Sequence, residues 1–240
     1  MKKLFILLTL VCIVAMSVTA YGKSPNATQP KNEIWYTSKD GAIVEPCKGR
    51  EQNIPNVFGA NIVSNTYQNG KGIIVFDGDV KRIGFSAFQR CNNLTSITIP
   101  DGVTLIGSWA FSWCESLTSL TIPDSVTKIG KRAVYNCTSL TSIAIPNSVT
   151  TIEEYAFASC TSLTKVTIGD SITSISGHAF LSCESLASIY CKASTPPSLG
   201  DSMVFACIAS DCKLYVPITS VEIYKRTWTR FYNATVGYDF

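Results

Sequence analysis

The sequence predicts a β-rich α/β solenoid: parallel strands, one per 23-residue coil, between an N-terminal β cap and a C-terminal helical cap. Three observations carry this. The unit IGSWAFSWCESLTSLTIPDSVTK at 106–128 recurs from Ile83, Ile106, Ile129, Ile152 and Ile175, a spacing of 23 with no slip. Cys91, Cys114, Cys137, Cys160 and Cys183 keep the same step. Within each unit a short alternating run meets a turn, as Leu94–Ile99 meets Pro100-Asp101-Gly102. A fixed period of this size marks stacked units that bury their apolar sides only against their neighbours.

Taken in order, residues 1–20 read as a secretory signal. Lys2 and Lys3 give the positive start, Leu4 to Met16 the apolar run, and Val18-Thr19-Ala20 a small-residue cleavage site. A lipoprotein signal with Cys12 as the lipidated residue is the rival reading, but it needs a small residue where Val11 stands. The apolar run is shorter than the roughly 20 residues a span requires, and no later segment is apolar enough to anchor the chain. The expectation is cleavage after Ala20 and an exported mature chain, extracellular, surface-held or periplasmic, without a membrane span. Residues 21–31 (YGKSPNATQPK) read as a disordered leader.

Residues 32–82 read as the N-terminal cap. Ile34–Thr37 and Ala42–Val44 flank Asp40-Gly41, a hairpin signal. In 71–82, Ile74 and Phe76 fall one period before Ile97 and Ile99, and Val80 one period before Val103, so this segment is half a repeat merging into the solenoid.

The five full units occupy 83–197. In Leu94–Ile99, Ile97 and Ile99 point inward while Ser96 and Thr98 point out. Strands repeating in one chain direction form a parallel sheet. The Ala-Phe pairs at 87–88, 110–111, 156–157 and 179–180 pack from the opposite wall, with Ala133-Val134 the undersized exception. Pro196-Pro197 breaks the register. Residues 198–240 read as a degenerate unit, with Leu214–Pro217 echoing the strand, followed by a helix N-capped by Ser220. That helix lays Val221, Tyr224, Trp228 and Phe231 over the last coil.

Composition narrows function. The net charge of +3 and the balance within 83–197, six basic against seven acidic residues, exclude a nucleic-acid or anionic-membrane partner of the kind that clustered Lys and Arg serve. A lone histidine, His178, excludes most metal sites and most Ser–His or Cys–His catalysis, so no cofactor, no metal and no enzymatic activity are expected.

The pattern Ile-Gly, Ala-Phe, Cys, then Leu-x-x-Ile-x-Ile-Pro-x-x-Val resembles the BspA-like leucine-rich repeat family of bacterial surface proteins, over roughly 71–217. The resemblance implies a curved leucine-rich-repeat solenoid with its strands on the concave side. It also implies an exported protein of an anaerobic, host-associated bacterium, some relatives of which bind host matrix proteins or other bacteria.

Candidate sites follow from the columns. Stacked cysteines run parallel, with Cβ atoms too far apart for relaxed disulfides, so the five-Cys file reads as buried reduced thiols. Cys207 and Cys212, with Cys191 as a third candidate, are the better disulfide partners; Cys47 has no evident mate. The outward row Ser96/Thr98, Ser119/Thr121, Ser142/Ala144, Lys165/Thr167 and Ser188/Tyr190 reads as a solvated sheet face. Two columns differ most between units: Ser86, Trp109, Arg132, Tyr155, His178 and Arg90, Trp113, Asn136, Ser159, Ser182. Positions that vary within one chain read as exposed and not fixed by the coil, and they gather the Trp, Tyr and Arg typical of hot spots. Trp109, Trp113, Arg132, Tyr155, His178 and Arg90 are therefore the expected contact residues for a protein or glycan partner, in a non-catalytic binding or adhesion module. The other reading of Trp109 and Trp113 is a shield over the coil wall. The alternative for the whole chain is a structural surface component that associates with itself.

Overall fold

The computed structural model describes residues 28–47 and 57–240. The signal read at 1–20 and most of the leader at 21–31 lie outside the described residues. In chain order, β1 (Glu33–Ser38), β2 (Ile62–Gln68) and β3 (Lys71–Phe76) precede the coils. Next come β4 (Arg82–Ile83), β5 (Leu94–Thr98), β6 (Leu105–Ile106), β7 (Ser119–Thr121), β8 (Lys128–Ile129) and β9 (Ser142–Ile145). Then follow β10 (Thr151–Ile152), β11 (Lys165–Ile168), β12 (Ser174–Ile175), β13 (Ser188–Cys191), β14 (Ser198–Leu199) and β15 (Lys213–Pro217). A 3-10 turn (Ile218–Ser220), helix α1 (Val221–Thr227), a second 3-10 turn (Thr229–Phe231) and β16 (Thr235–Tyr238) complete the chain.

The molecule is a parallel-strand leucine-rich-repeat solenoid. Besides the predicted long strand, each coil carries a second strand of two residues. Equivalent residues pair in parallel one period apart, Val166 with Ile143 and Ile189 on the long-strand wall, Ile152 with Ile129 and Ile175 on the short-strand wall. The alternation works as period-2 patterning requires: Ile97, Ile143, Val166 and Ile189 are buried while their neighbours face out. Leu94, Leu117, Leu140, Leu163 and Leu186 form one wholly buried file.

A third wall, from the short strand to the cysteine, closes each coil. In its backbone a left-handed residue recurs four positions on, as Trp109 and Trp113 do, and every second N–H points along the solenoid axis. Trp109, Phe111 and Trp113 donate to the carbonyls of Lys131, Ala133 and Tyr135 in the next coil, at 2.9, 2.7 and 2.8 Å. Arg132, Val134 and Asn136 repeat this toward Glu154, Ala156 and Ala158. Inside this turn wall the phenylalanines stack, Phe88 on Phe111 at 5.4 Å and Phe157 on Phe180 at 5.3 Å, with Val134 interrupting the pile.

The N-terminal cap differs from the hairpin that Asp40-Gly41 suggests. Both edges of β1 are already occupied, antiparallel, by β3 and β5, so 42–44 has no strand edge to join. The hairpin that does form joins β2 to β3. Asn69 (φ 51°) and Gly70 (φ 77°) turn it, the two left-handed residues such a tight turn needs. The half-repeat reading of 71–82 also divides: β4 stacks in register on β6, but β1 stands between β3 and β5.

Three separate pieces replace the missing coil before the first. β1 covers the long-strand wall. The amide of Cys47 donates to the Ala87 carbonyl (2.7 Å) on the turn wall. On the short-strand wall, the carbonyls of Val57 and Phe58 accept from Gly84 and Lys81, both at 2.8 Å.

At the other end the helix is shorter than predicted: α1 stops at Thr227 and puts Tyr224 in the core with Val221 packed beside it, while Trp228, just past its end, and Phe231, in the second 3-10 turn, are buried with them. Ser220 is not a side-chain N-cap: it is buried, and its hydroxyl donates to the Ser194 carbonyl (2.8 Å), tying the turn to the last coil. Trp228 donates to the Pro197 carbonyl (3.1 Å) and packs on Phe205, the last ring of the pile. Beyond the predicted helix, β16 adds a parallel strand to β15.

Candidate functional site

The two variable columns have one backbone property in common. Ser86, Trp109, Arg132, Tyr155 and His178, and Arg90, Trp113, Asn136, Ser159 and Ser182, all have φ between 54° and 65°. These are the left-handed residues of the turn wall. The side chains at these positions differ from coil to coil, while one backbone conformation is common to all ten. An L residue pays a steric penalty in this region, and here the axial hydrogen bonds impose it.

The first column lines up as a file along the solenoid. The Arg132 guanidinium carbon lies 4.8 Å from the ring centroid of Trp109 on one side and 4.8 Å from that of Tyr155 on the other. Tyr155 stacks on His178 at 4.7 Å, and His178 Nδ1 meets Asp201 Oδ2 at 3.0 Å. The period of the coils thus brings one side chain per coil into contact. Ser86 does not extend the file: it is buried, next to the Ala87 carbonyl that the Cys47 amide binds.

The second column divides. Trp113, 36% exposed, packs edge-on against Tyr135 at 5.9 Å, and Tyr135 also meets Trp109 (6.5 Å) and Arg132 (5.8 Å). Trp109, Trp113, Arg132 and Tyr155 are therefore one patch, centred on Tyr135. Arg90 is elsewhere, lining an open hollow of about 530 Å³ with Lys39, Asp40, Glu45 and Asn92. Sequence reasoning missed Tyr135, although its own column (Gln89, Ser112, Tyr135, Ala158, Leu181) varies as widely as the two selected. It also missed the rim: Lys128 bonds Glu153 (2.6 Å), and Lys131 bonds Glu154, holding its carboxyl below the usual range.

The cysteine file faces inward. Cys114, Cys137, Cys160 and Cys183 are buried free thiols. Each donates to a carbonyl of the preceding coil, that of Phe88, Phe111, Val134 and Phe157 in turn, at 3.0–3.2 Å. Burial pushes all four thiols up, Cys160 to about 12. Cys91 is buried at the head of the file, its Sγ 3.5 Å from the Glu45 carbonyl. The disulfide expected among Cys207, Cys212 and Cys191 is not made: Cys207 is exposed, Cys212 is buried, and Cys191 meets the Tyr224 hydroxyl at 3.2 Å.

The long-strand face is less bland than its Ser-x-Thr rows suggest. Tyr190 and Tyr215 stack at 4.5 Å, Lys165 lies over Tyr190 at 4.6 Å, and Tyr238 and Phe240, 42% and 47% exposed, pack against them. Tyr238 comes from β16 and Phe240 from just beyond it, a segment that no repeat register announces. Among the described residues no helix is long and apolar enough to cross a membrane.

The pattern of repeats matches the family model described as BspA type leucine rich repeat region, in six copies over residues 72–209. Among solved structures, a leucine rich cell surface protein from Faecalibacterium prausnitzii A2-165 is 36% identical, covering 48% of this chain and 30% of that one (TM-score 0.46). The T. pallidum leucine rich repeat protein is 35% identical over 48% of this chain and 54% of that one (TM-score 0.47). The pneumococcal vaccine antigen PcpA is 20% identical over 66% of this chain and 38% of that one (TM-score 0.48). The chain thus spans from under a third to about half the length of these proteins. No curated protein matches it.

Proposed function

The chain belongs to the BspA type leucine-rich repeat family, and on that premise we propose that it is an exported, non-catalytic cell-surface module that binds a protein through its turn wall. Proteins of this repeat family are generally interaction scaffolds, and the neighbours include a cell surface protein. The observation that carries the reading is the Arg132 guanidinium held between Trp109 and Tyr155 beside the exposed Trp113. Trp, Tyr and Arg are the residue types that dominate binding energy when clustered and partly desolvated. The wall beneath them is tied coil to coil by backbone hydrogen bonds, so little ordering is needed on docking. Export follows from the signal at 1–20, with cleavage after Ala20 as the expected processing.

The test replaces Trp109, Trp113, Arg132 and Tyr155 together by Ala and compares capture from host matrix and mucosal extracts. The axial hydrogen bonds come from backbone amides, so the circular dichroism spectrum should persist while capture is lost. Unchanged capture by a folded variant would place the docking face elsewhere. The second reading, self-association as a structural surface component, draws support from the exposed Val236, Tyr238 and Phe240 on and beside edge strand β16. Sedimentation that stays monomeric at high concentration would remove it.

A further inference from the structure

We propose that Arg132 is a receptor for a single carboxylate, carried by an acidic side chain on a loop of the protein partner. This rests on the turn wall being the docking face and specifies what is recognised there. A guanidinium covered on both sides by aromatic rings has lost hydration from its two faces while keeping the N–H donors around its rim. Among the described residues none of those donors makes a hydrogen bond or ion pair. Glu154, whose carboxylate feels the Arg132 charge, bonds Lys131 instead. Glu153 bonds Lys128, and Asp201 meets His178. The carboxylates around the file are therefore taken, and Arg132 is its cation with donors to spare.

A planar fork with two parallel donors fits a carboxylate edge to edge, and its charge-assisted hydrogen bonds are about twice as strong as neutral ones. The rings and the left-handed backbone at Arg132 (φ 54°) fix where the fork points, so little freedom is lost when it binds. An acidic sugar would need a bare ring face to stack on, but the faces of Trp109 and Tyr155 beside the cation are covered by it. What stays open is Trp113 against Tyr135, which suits an apolar side chain next to the acid. The chemistry of the patch is that of a peptide carrying Asp or Glu beside an aliphatic or aromatic residue.

The experiment uses the full mature chain with poly-L-glutamate as the peptide probe and hyaluronan as the glycan probe, each by biolayer interferometry at low and physiological salt. Wild type should bind poly-L-glutamate, and the Nε–H resonance of Arg132 should move on titration. Arg132→Lys keeps the charge but not the fork, and should weaken binding at least about tenfold with an unchanged melting temperature. Trp109→Ala/Tyr155→Ala, which leaves Arg132 but removes its clamp, should weaken it similarly. Equal binding by Arg132→Lys, a stationary Arg132 resonance, or preference for hyaluronan would each overturn the proposal. If Trp113→Ala loses the native partner while Arg132→Lys keeps it, the docking face stands and the carboxylate receptor falls.

Discussion

A left-handed residue is costly unless it is glycine, yet this chain places ten non-glycine residues there in two files. Asn136, Ser159 and Ser182 are short polar side chains of the kind that tolerate the region; Trp109, Trp113 and Tyr155 are not. The cost at the aromatic positions is offset by ring contacts along the file. Ser159→Gly should therefore be close to neutral in urea unfolding, while Ser159→Val, β-branched at φ 60°, should lose about 1–2 kcal/mol. The columns were visible in the sequence as variable positions. Their backbone was not, because Trp and Tyr carry no signal for a conformation that neighbouring coils enforce.

The buried thiols make a second prediction at this scale. A thiol whose folded pKa stands above its unfolded value of about 8.5 holds its proton more tightly in the native state. Its stabilising contribution is complete below that value and is lost as pH rises toward the folded one. With Cys160 near 12 and Cys114, Cys137 and Cys183 also raised, the urea midpoint should fall between roughly pH 9 and 12. Cys160→Ala should start lower and fall less steeply. Below that range, native-state alkylation should label the exposed Cys207 and spare the file.

Among the elements, the long strands and their turns were readable because alternation and proline speak for themselves. The cap was not. Asp40-Gly41 gives a turn signal without a hairpin, since β1 is paired on both edges, whereas Asn69-Gly70, the stronger signal, turns the hairpin that forms. Within the cap Tyr36 pairs across from Gly72 and lays its ring over it. A Cβ at position 72 would sit 2.1–2.4 Å from three ring carbons, and the Tyr36 hydroxyl is fixed by Asn65 and by the Val44 amide. Gly72→Ala should destabilise the cap by several kcal/mol through this clash, seen as early loss of protection in β1 and β3 by hydrogen exchange. The neighbouring Gly70→Ala, with open space around it, should cost only its backbone strain of about 1 kcal/mol.

For the whole molecule, stability is a sum of coils and the interfaces between them. The period of 23 made the stack legible, and Phe157 illustrates why: its ring lies on Phe180 and its carbonyl receives the Cys183 thiol. Phe157→Ala should cost about 3–5 kcal/mol and lower the melting temperature of the whole array. Trp228→Ala removes the lid over Phe205 at the end of the stack, so its loss should appear first as fraying of β15 and β13, with β5 and β7 still protected. Equal loss along the chain would mean that the solenoid melts as one unit.

The three pieces that impersonate a preceding coil all lie before Arg82 in the chain. A polypeptide made from its N-terminus has this template complete before any true coil emerges. Each new 23-residue turn then meets a finished surface, and its own turn-wall amides await the carbonyls of the coil that follows. Growth from one end should spare so repetitive a chain a search among identical turns for the right neighbour.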